Sequence, residues 1–160
     1  MGKEKIKSFS EISQIANSLR NSKKIVFTNG CFDILHCGHI TYLYEAKKLG
    51  DILIIGLNSD NSIKRIKGEK RPIVPQEERA FLLSALEMVD YVTIFDHDTP
   101  YELIQIIKPH VLVKGGDWLI DNIVGKDIVE SYGGKILNIP FVEGKSTTNI
   151  IERILSVYSR

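Results

Sequence analysis

Short runs rich in β-branched residues alternate with segments of helical periodicity along almost the whole chain. The runs predict strands at 25–27, 52–57, 90–95, 111–113 and 135–139. Apolar residues spaced three or four apart predict helices at 9–19, 38–49, 75–89, 100–107, 123–132 and 147–157. Parallel strands need crossover helices that cover both faces of the sheet. We therefore expect an α/β fold, a Rossmann-like, doubly wound sheet of five parallel strands.

Length and charge restrict the class of protein. The 160 residues are 43% hydrophobic, which predicts a single domain spanning 1–160. With 21 Lys and Arg against 20 Asp and Glu, nothing predicts a nucleic-acid or membrane surface, so we expect a small ligand. The 2 cysteines, without a signal peptide or a run long enough to span a bilayer, predict a cytoplasmic protein with free thiols.

The loop after the first strand is the strongest candidate for a ligand site. Asn29-Gly30 ends the strand, and His36-Cys37-Gly38-His39 opens the next helix. Open α/β sheets bind ligands at the carboxyl ends of their strands, and the free amides of a first helical turn attract anions. The two imidazoles point the same way, and Gly38 lets a ligand approach the backbone, which predicts phosphate binding. The alternative is that the histidines only cap and pack the helix.

Zinc is a second alternative for this loop. Cys31, His36, Cys37 and His39 are metal-ligand types that lie close together in the sequence. They lack the paired Cys-x-x-Cys knuckles of structural zinc sites, and a core of this size needs no metal. We therefore expect no protein-built metal site.

Four other polar segments follow apolar runs or precede a helix. The polar cluster 58–62 and the basic run 64–72 follow strand two, as either a ligand loop or a solvated face. Lys114-Gly-Gly-Asp117 follows strand four. The segment 143–148 predicts a hydroxyl-rich helix start that either caps itself or holds phosphate. Neither a Gly-x-Gly-x-x-Gly motif after strand one nor a Walker-type phosphate loop is present.

Taken in order, the motifs at 29–33, 36–39, 67–72, 114–117 and 146–148 resemble those of the cytidylyltransferase-like nucleotidyltransferases. The resemblance covers roughly residues 23–155, after a lead-in helix within 1–22, and is greatest to the heptose 1-phosphate adenylyltransferase branch. It implies AMP transfer from ATP to heptose 1-phosphate, giving ADP-heptose and pyrophosphate with Mg²⁺, for the lipopolysaccharide inner core. A separate kinase would supply the sugar phosphate, and we expect a homo-oligomer, a dimer or tetramer.

The resemblance also implies roles for individual residues. Catalysis falls to His36, His39 and Lys67, with Lys64 as the alternative to Lys67. The implied nucleotide-binding residues are Thr28, Asn29, Gly30, Phe32, Gly38, Lys114, Gly115, Gly116, Asp117, Ser146, Thr147 and Thr148. The implied residues on the substrate side are Asp33, Asn58, Asp60, Lys64, Arg71 and Arg79.

The sequence departs from its relatives at one position and leaves the substrate open. Some relatives that use CTP carry arginine where Phe141 stands, and the role of Lys145 nearby is open. Gly116 lacks the acidic side chain that similar cytidylyltransferases place there, which favours ATP over CTP. The alternatives are CTP with glycerol 3-phosphate or a related alcohol phosphate, adenylylation of a flavin phosphate, a nucleotide sensor without turnover, and a zinc-stabilised interaction domain.

Overall fold

A computed structural model of the chain describes residues 2–116 and 119–159. Its strands form one parallel sheet in the order β3-β2-β1-β4-β5. The strands are β1 Ile25–Gly30, β2 Ile52–Asn58, β3 Tyr91–Phe95, β4 Val111–Gly115 and β5 Lys135–Ile139. The helices are α1 Phe9–Leu19, α2 Cys37–Lys47, α3 Asp60–Lys67, α4 Gln76–Ser84, α5 Tyr101–Ile107, α6 Lys126–Ser131 and α7 Thr147–Tyr158, with 3-10 turns at Lys3–Lys5 and Ile120–Asn122. The predicted Rossmann-like fold is confirmed.

Both faces of the sheet are covered, because successive side chains of a strand point to opposite sides. In β1, Ile25 and Phe27 are fully buried on the side of α1 and α5. Val26 is fully buried on the other side, with α2 and α4. The strands are therefore apolar on both faces, as in parallel sheets generally.

The segment after β2, expected as either a ligand loop or a solvated face, forms the helix α3. Lys64 and Arg65 on this helix are exposed, as expected of a solvated face, while Lys67 lines the cleft described below. Ser59 caps α3 by accepting a hydrogen bond of 3.0 Å from the amide of Ser62. Ile63 is the one fully buried apolar residue of this helix. The predicted helix over 123–132 is also shorter than expected, because Gly125 adopts a left-handed conformation and α6 begins after it.

Two helices bury different residues from those predicted. The residues predicted to be buried over 75–89 were Phe81, Leu82, Ala85, Leu86 and Val89. In α4, Phe81 and Leu82 are instead exposed, while Ala80 and Leu83 are buried. Beyond the end of α4, Ala85 is exposed but Val89 is fully buried, as predicted. The terminal helix α7 forms as predicted, yet none of its residues is buried. Within the described residues, the helices are all too short or too polar to cross a bilayer.

Candidate functional site

A cleft of about 710 Å³ lies at the carboxyl ends of β1, β2 and β4. The chain leaves β1 towards β2 on one side, and β4 lies on the other side of β1, so the strand order reverses there. Open α/β sheets bind ligands at such a switch point. The loop after β1, the first turn of α2, the end of α3 and the start of α7 supply most of the walls.

Two stacked histidine rings lie at the amino end of α2. The centroids of His36 and His39 are 3.8 Å apart, and the edge of Phe32 contacts His39 at a centroid distance of 5.4 Å. Within the described residues, Nδ1 of each histidine is buried and has no hydrogen-bond partner. Nε2 of neither ring is among the buried atoms without a partner, and both histidines line the cleft.

The surroundings of both histidines lower their pKa values. Burial, the neighbouring His36 and the charge of Lys67 lower the pKa of His39 to about 4. Burial and the charge of Lys145 lower the pKa of His36 from its usual value. A neutral imidazole presents one donor and one acceptor, so each ring can donate one hydrogen bond to an anion.

Basic side chains surround the histidine pair. Lys67, at the carboxyl end of α3, lines the cleft and acts electrostatically on His39. Lys145 reaches the same place from the segment before α7, where a methyl group on Gly38 would lie 3.1 Å from its Cβ. Gly38 is therefore required by the close approach of this segment and of the His36 ring. Lys64, the alternative to Lys67, is exposed and does not line the cleft.

Lys114 lines the cleft near the end of β4, the strand next to β1. Its Nζ donates a hydrogen bond to the side-chain oxygen of Asn29, and burial lowers its pKa to about 8. Both residues line the cleft at the ends of neighbouring strands. The pair can present a cation and an amide to the same ligand.

Asp33 holds the loops around the cleft in place. Its side chain is fully buried and accepts hydrogen bonds of 2.8 to 2.9 Å from Nε of Arg71 and from the amides of Ile73 and Val74. Burial raises the pKa of Asp33, but the two amides and Arg71 outweigh burial and lower it. Both carboxylate oxygens therefore accept hydrogen bonds within the protein, which gives Asp33 a positioning role. Asp33 also lines the cleft, so its contact with substrate stays a prediction.

Arg79 has a similar internal role. Its guanidinium is fully buried and donates to the carbonyls of Val74, Cys31 and Asn58 and to Oδ1 of Asp60, at 2.6 to 3.0 Å. Neither Arg79 nor Asp60 lines the cleft. The structure therefore replaces their predicted contact with substrate by a role in joining the ends of β1 and β2 to α3.

The three hydroxyl groups at the start of α7 differ in their hydrogen bonds. Ser146 is the N-cap and accepts a hydrogen bond of 3.0 Å from the amide of Asn149. The hydroxyl of Thr147 donates to the carbonyl of Asp33 at 2.6 Å. Thr148 lines the cleft, and its hydroxyl has no hydrogen bond to any other described residue.

Most of the residues singled out from sequence converge on this cleft. Those lining it are Asn29, Gly30, Phe32, Asp33, His36, Gly38, His39, Asn58, Lys67, Arg71, Lys114, Gly115, Ser146, Thr147 and Thr148. Thr28 and Gly116 do not line the cleft. Thr28 is fully buried, and its hydroxyl oxygen lies 2.5 Å from the hydroxyl oxygen of Tyr42. The prediction for Asp117 falls outside the described residues.

The sequence analysis missed some lining residues, among them Asp98, Asn122 and Val124. Asp98 follows β3 at the same sheet edge, so its position after a strand is a signal that could have identified it. Within 2–116 and 119–159, the side chains that bind metals do not form a group of three or more. Cys31 and Cys37 are free thiols.

The family model described as cytidylyltransferase-like matches residues 27–153, which include the histidine pair, Lys67 and Lys145. The chain belongs to this family. Membership places it among the nucleotidyltransferases.

Two relatives have high sequence identity to this chain. The chain is 54% identical over 98% of its length to the "Bifunctional protein HldE" of Geobacter sulfurreducens, and 60% identical over 86% to that of Pelobacter propionicus. It spans only 32% and 28% of the lengths of these relatives.

Two solved structures share the fold. A lipopolysaccharide core biosynthesis protein from Thermoplasma volcanium is 28% identical and superposes with a TM-score of 0.61, over 78% of this chain and all of that protein. Pantoate-beta-alanine ligase from Francisella tularensis has a TM-score of 0.62 over 94% of this chain and 78% of its own. It is 18% identical and supports the fold only.

Proposed function

We propose that this chain transfers AMP from ATP to heptose 1-phosphate, giving ADP-heptose and pyrophosphate for lipopolysaccharide synthesis. The observation that carries the proposal is the stacked pair of histidines at the amino end of α2, which lines the cleft with Lys67 and Lys145. Membership of the nucleotidyltransferase family supports the reaction class. The similarity to the HldE proteins and to a lipopolysaccharide core biosynthesis protein supports the sugar and the pathway.

The triphosphate of ATP would lie against α2. Because Nδ1 of each histidine is buried, we place the single proton of each neutral ring on Nε2, from which it donates to a phosphate oxygen. The positive end of the helix dipole lies at the same point. Lys67 and Lys145 would balance the charge of the phosphates from opposite walls.

Magnesium would enter as the complex of ATP. The described residues offer no cluster of carboxylates for it, and Asp33 is fully engaged by internal donors. Mg²⁺ in nucleotide sites is commonly held by substrate phosphates with few protein ligands. Bound in this way, it would neutralise charge on the triphosphate.

The reaction needs positioning and charge stabilisation more than proton transfer. An oxygen of the sugar phosphate forms a bond to the α-phosphorus of ATP, and the bond from that phosphorus to the pyrophosphate oxygen breaks. The second pKa of a phosphate monoester is about 6, so the attacking group is already largely a dianion at neutral pH. His36, His39 and Lys67 then act by stabilising the charge that develops during transfer.

Pyrophosphate release tests the proposal. We would measure it with ATP and CTP, each combined with heptose 1-phosphate, glycerol 3-phosphate and a flavin phosphate. With heptose 1-phosphate, we expect kcat/KM for ATP to exceed that for CTP by about tenfold or more, a difference of about 1.4 kcal/mol. Equal use of both nucleotides, or a preference for CTP with glycerol 3-phosphate, would contradict the choice of substrates.

Variants of the histidine and lysine residues test the assigned roles. His39→Ala and Lys67→Ala should each lower kcat by about 10²–10³, with a smaller change in the KM for ATP. Lys64→Ala is the matched control, because Lys64 lies on the same helix but outside the cleft. Near wild-type turnover by His39→Ala, or an equal loss in Lys64→Ala and Lys67→Ala, would overturn these assignments.

A further inference from the structure

The ring of Phe141 rests directly on the backbone at the end of β4. A methyl group on Gly115 would lie 2.7 Å from Cε1 of Phe141, and one on Gly116 would lie 2.6 Å from Cε2. Gly116 also has a φ of +94°, which side chains rarely adopt. The glycine pair therefore leaves the space in which this aromatic ring lies against the peptide groups.

The rest of the ring is uncovered, although it is a large apolar group. Phe141 is 71% exposed and lines the cleft beside Gly115. Its ring forms no stacked or edge contact with another described aromatic ring. An exposed aromatic ring in a binding cleft is suited to cover the flat face of a ligand.

Phe141 lies at the opposite end of its segment from the phosphate-side lysine. Lys145, four residues later, lies beside Gly38 and His36. The segment turns between the two residues, since the amide of Lys145 donates a hydrogen bond of 3.2 Å to the carbonyl of Val142, and both residues line the same cleft. With the phosphates at α2, the base would therefore reach the end of β4.

We propose that Phe141 is the stacking surface for the nucleobase and a determinant of purine preference. The inference rests on the proposed function and extends it to one residue that the chemistry itself does not use. One side of the ring is fixed on Gly115 and Gly116, so little freedom is lost when a base stacks on the other side. A purine has the larger face and gains more from the contact than a pyrimidine.

Paired binding measurements test this role. Phe141→Leu keeps an apolar side chain but removes the ring, so the Kd for ATP should rise about tenfold. The Kd for inorganic tripolyphosphate, which has no base, should stay unchanged. Phe141→Tyr should retain ATP binding, and Tyr44→Leu, which removes an exposed aromatic outside the cleft, is the matched control.

The nucleotide panel adds a second readout. The loss of affinity in Phe141→Leu should be larger for ATP than for CTP. The ratio of the Kd for CTP to the Kd for ATP should therefore be smaller in the variant than in the wild type. Unchanged ATP affinity in Phe141→Leu, or an equal loss for ATP and tripolyphosphate, would overturn the stacking role while leaving the proposed function intact. A wild-type protein that turns over no nucleotide would instead overturn the proposed function.

Discussion

His39 combines burial with an unpaired ring nitrogen, and both features depend on its neighbours. The stacked His36 ring covers one face of His39, and Phe32 contacts it from the side. The positive charge of Lys67 adds to the effect of burial, so the pKa of His39 falls to about 4. The ring is therefore neutral at physiological pH, and its single N–H can donate one hydrogen bond to a phosphate oxygen.

The low pKa of His39 predicts how stability depends on pH. Its pKa is about 4 in the folded chain and 6.5 as the reference value, so between these limits the unfolded chain binds a proton that the folded chain does not. Stability from this group is therefore fully present above pH 6.5 and decreases as the pH falls towards 4. His39→Gln should remove this component.

Thermal melts of wild type and His39→Gln across this pH range check the sign. As the pH is lowered, we expect the Tm of the wild type to fall more than the Tm of His39→Gln. Parallel curves would show that His39 titrates normally in the folded chain. Because the pKa of His36 is also lowered, His36→Gln provides a second curve that should shift in the same direction.

The sequence identified residue types at the site more readily than their roles. His36, His39 and Lys67 line one cleft, as their motifs predict. Arg79 was placed on the substrate side, but its burial and internal hydrogen bonds give it a positioning role outside the cleft. Asp33 lines the cleft, yet it too is held by internal hydrogen bonds. A motif shows that a charged residue is present, but which groups occupy its hydrogen bonds depends on segments distant in the chain.

At the level of elements, α3 shows why a polar helix was missed. Its apolar residues, Ile63 and Ile66, are too few to give a clear period. The helix instead depends on its ends, with Ser59 as N-cap and Asp60 in the first turn. Basic residues in its last turn, including Lys67, interact favourably with the negative end of the dipole.

The errors in α4 and α7 have different causes. In α4, the fully buried Arg79 occupies a core-facing position that a hydrophobic pattern assigns to solvent, so the predicted stripe was displaced. In α7, the apolar residues have the predicted spacing, but the described part of the chain does not bury them. Periodicity thus predicted the helix correctly without predicting what it packs against.

The amino end of α7 allows capping and ligand binding to be separated. Thr148→Ala should weaken ATP binding with little change in Tm, because this residue lines the cleft. Ser146→Ala should lower the free energy of unfolding by about 1 kcal/mol, because it removes the N-cap. Isothermal titration with ATP and thermal melts distinguish the two effects. A lowered Tm with unchanged ATP affinity in Thr148→Ala would assign that residue to structure alone.

At the scale of the whole molecule, the strand order brings distant segments to one edge of the sheet. Alternation of strands and helices was sufficient to predict the parallel sheet and the edge of the sheet at which the cleft lies. It was not sufficient to predict that Thr147 would tie α7 to the carbonyl of Asp33, a contact between residues 114 positions apart. Contacts of that kind join the loops into one site.

The central claim is that the cleft joins a nucleotide to a sugar phosphate instead of hydrolysing it. Phosphorus-31 NMR of the protein with ATP, magnesium and heptose 1-phosphate tests this directly, because it distinguishes the products. We predict the two coupled signals of a sugar-linked diphosphate, appearing in equal amount with pyrophosphate, and forming about 10²–10³ times more slowly with His39→Ala. Formation of ADP with phosphate, or of AMP with pyrophosphate and no diphosphate ester, would contradict the account.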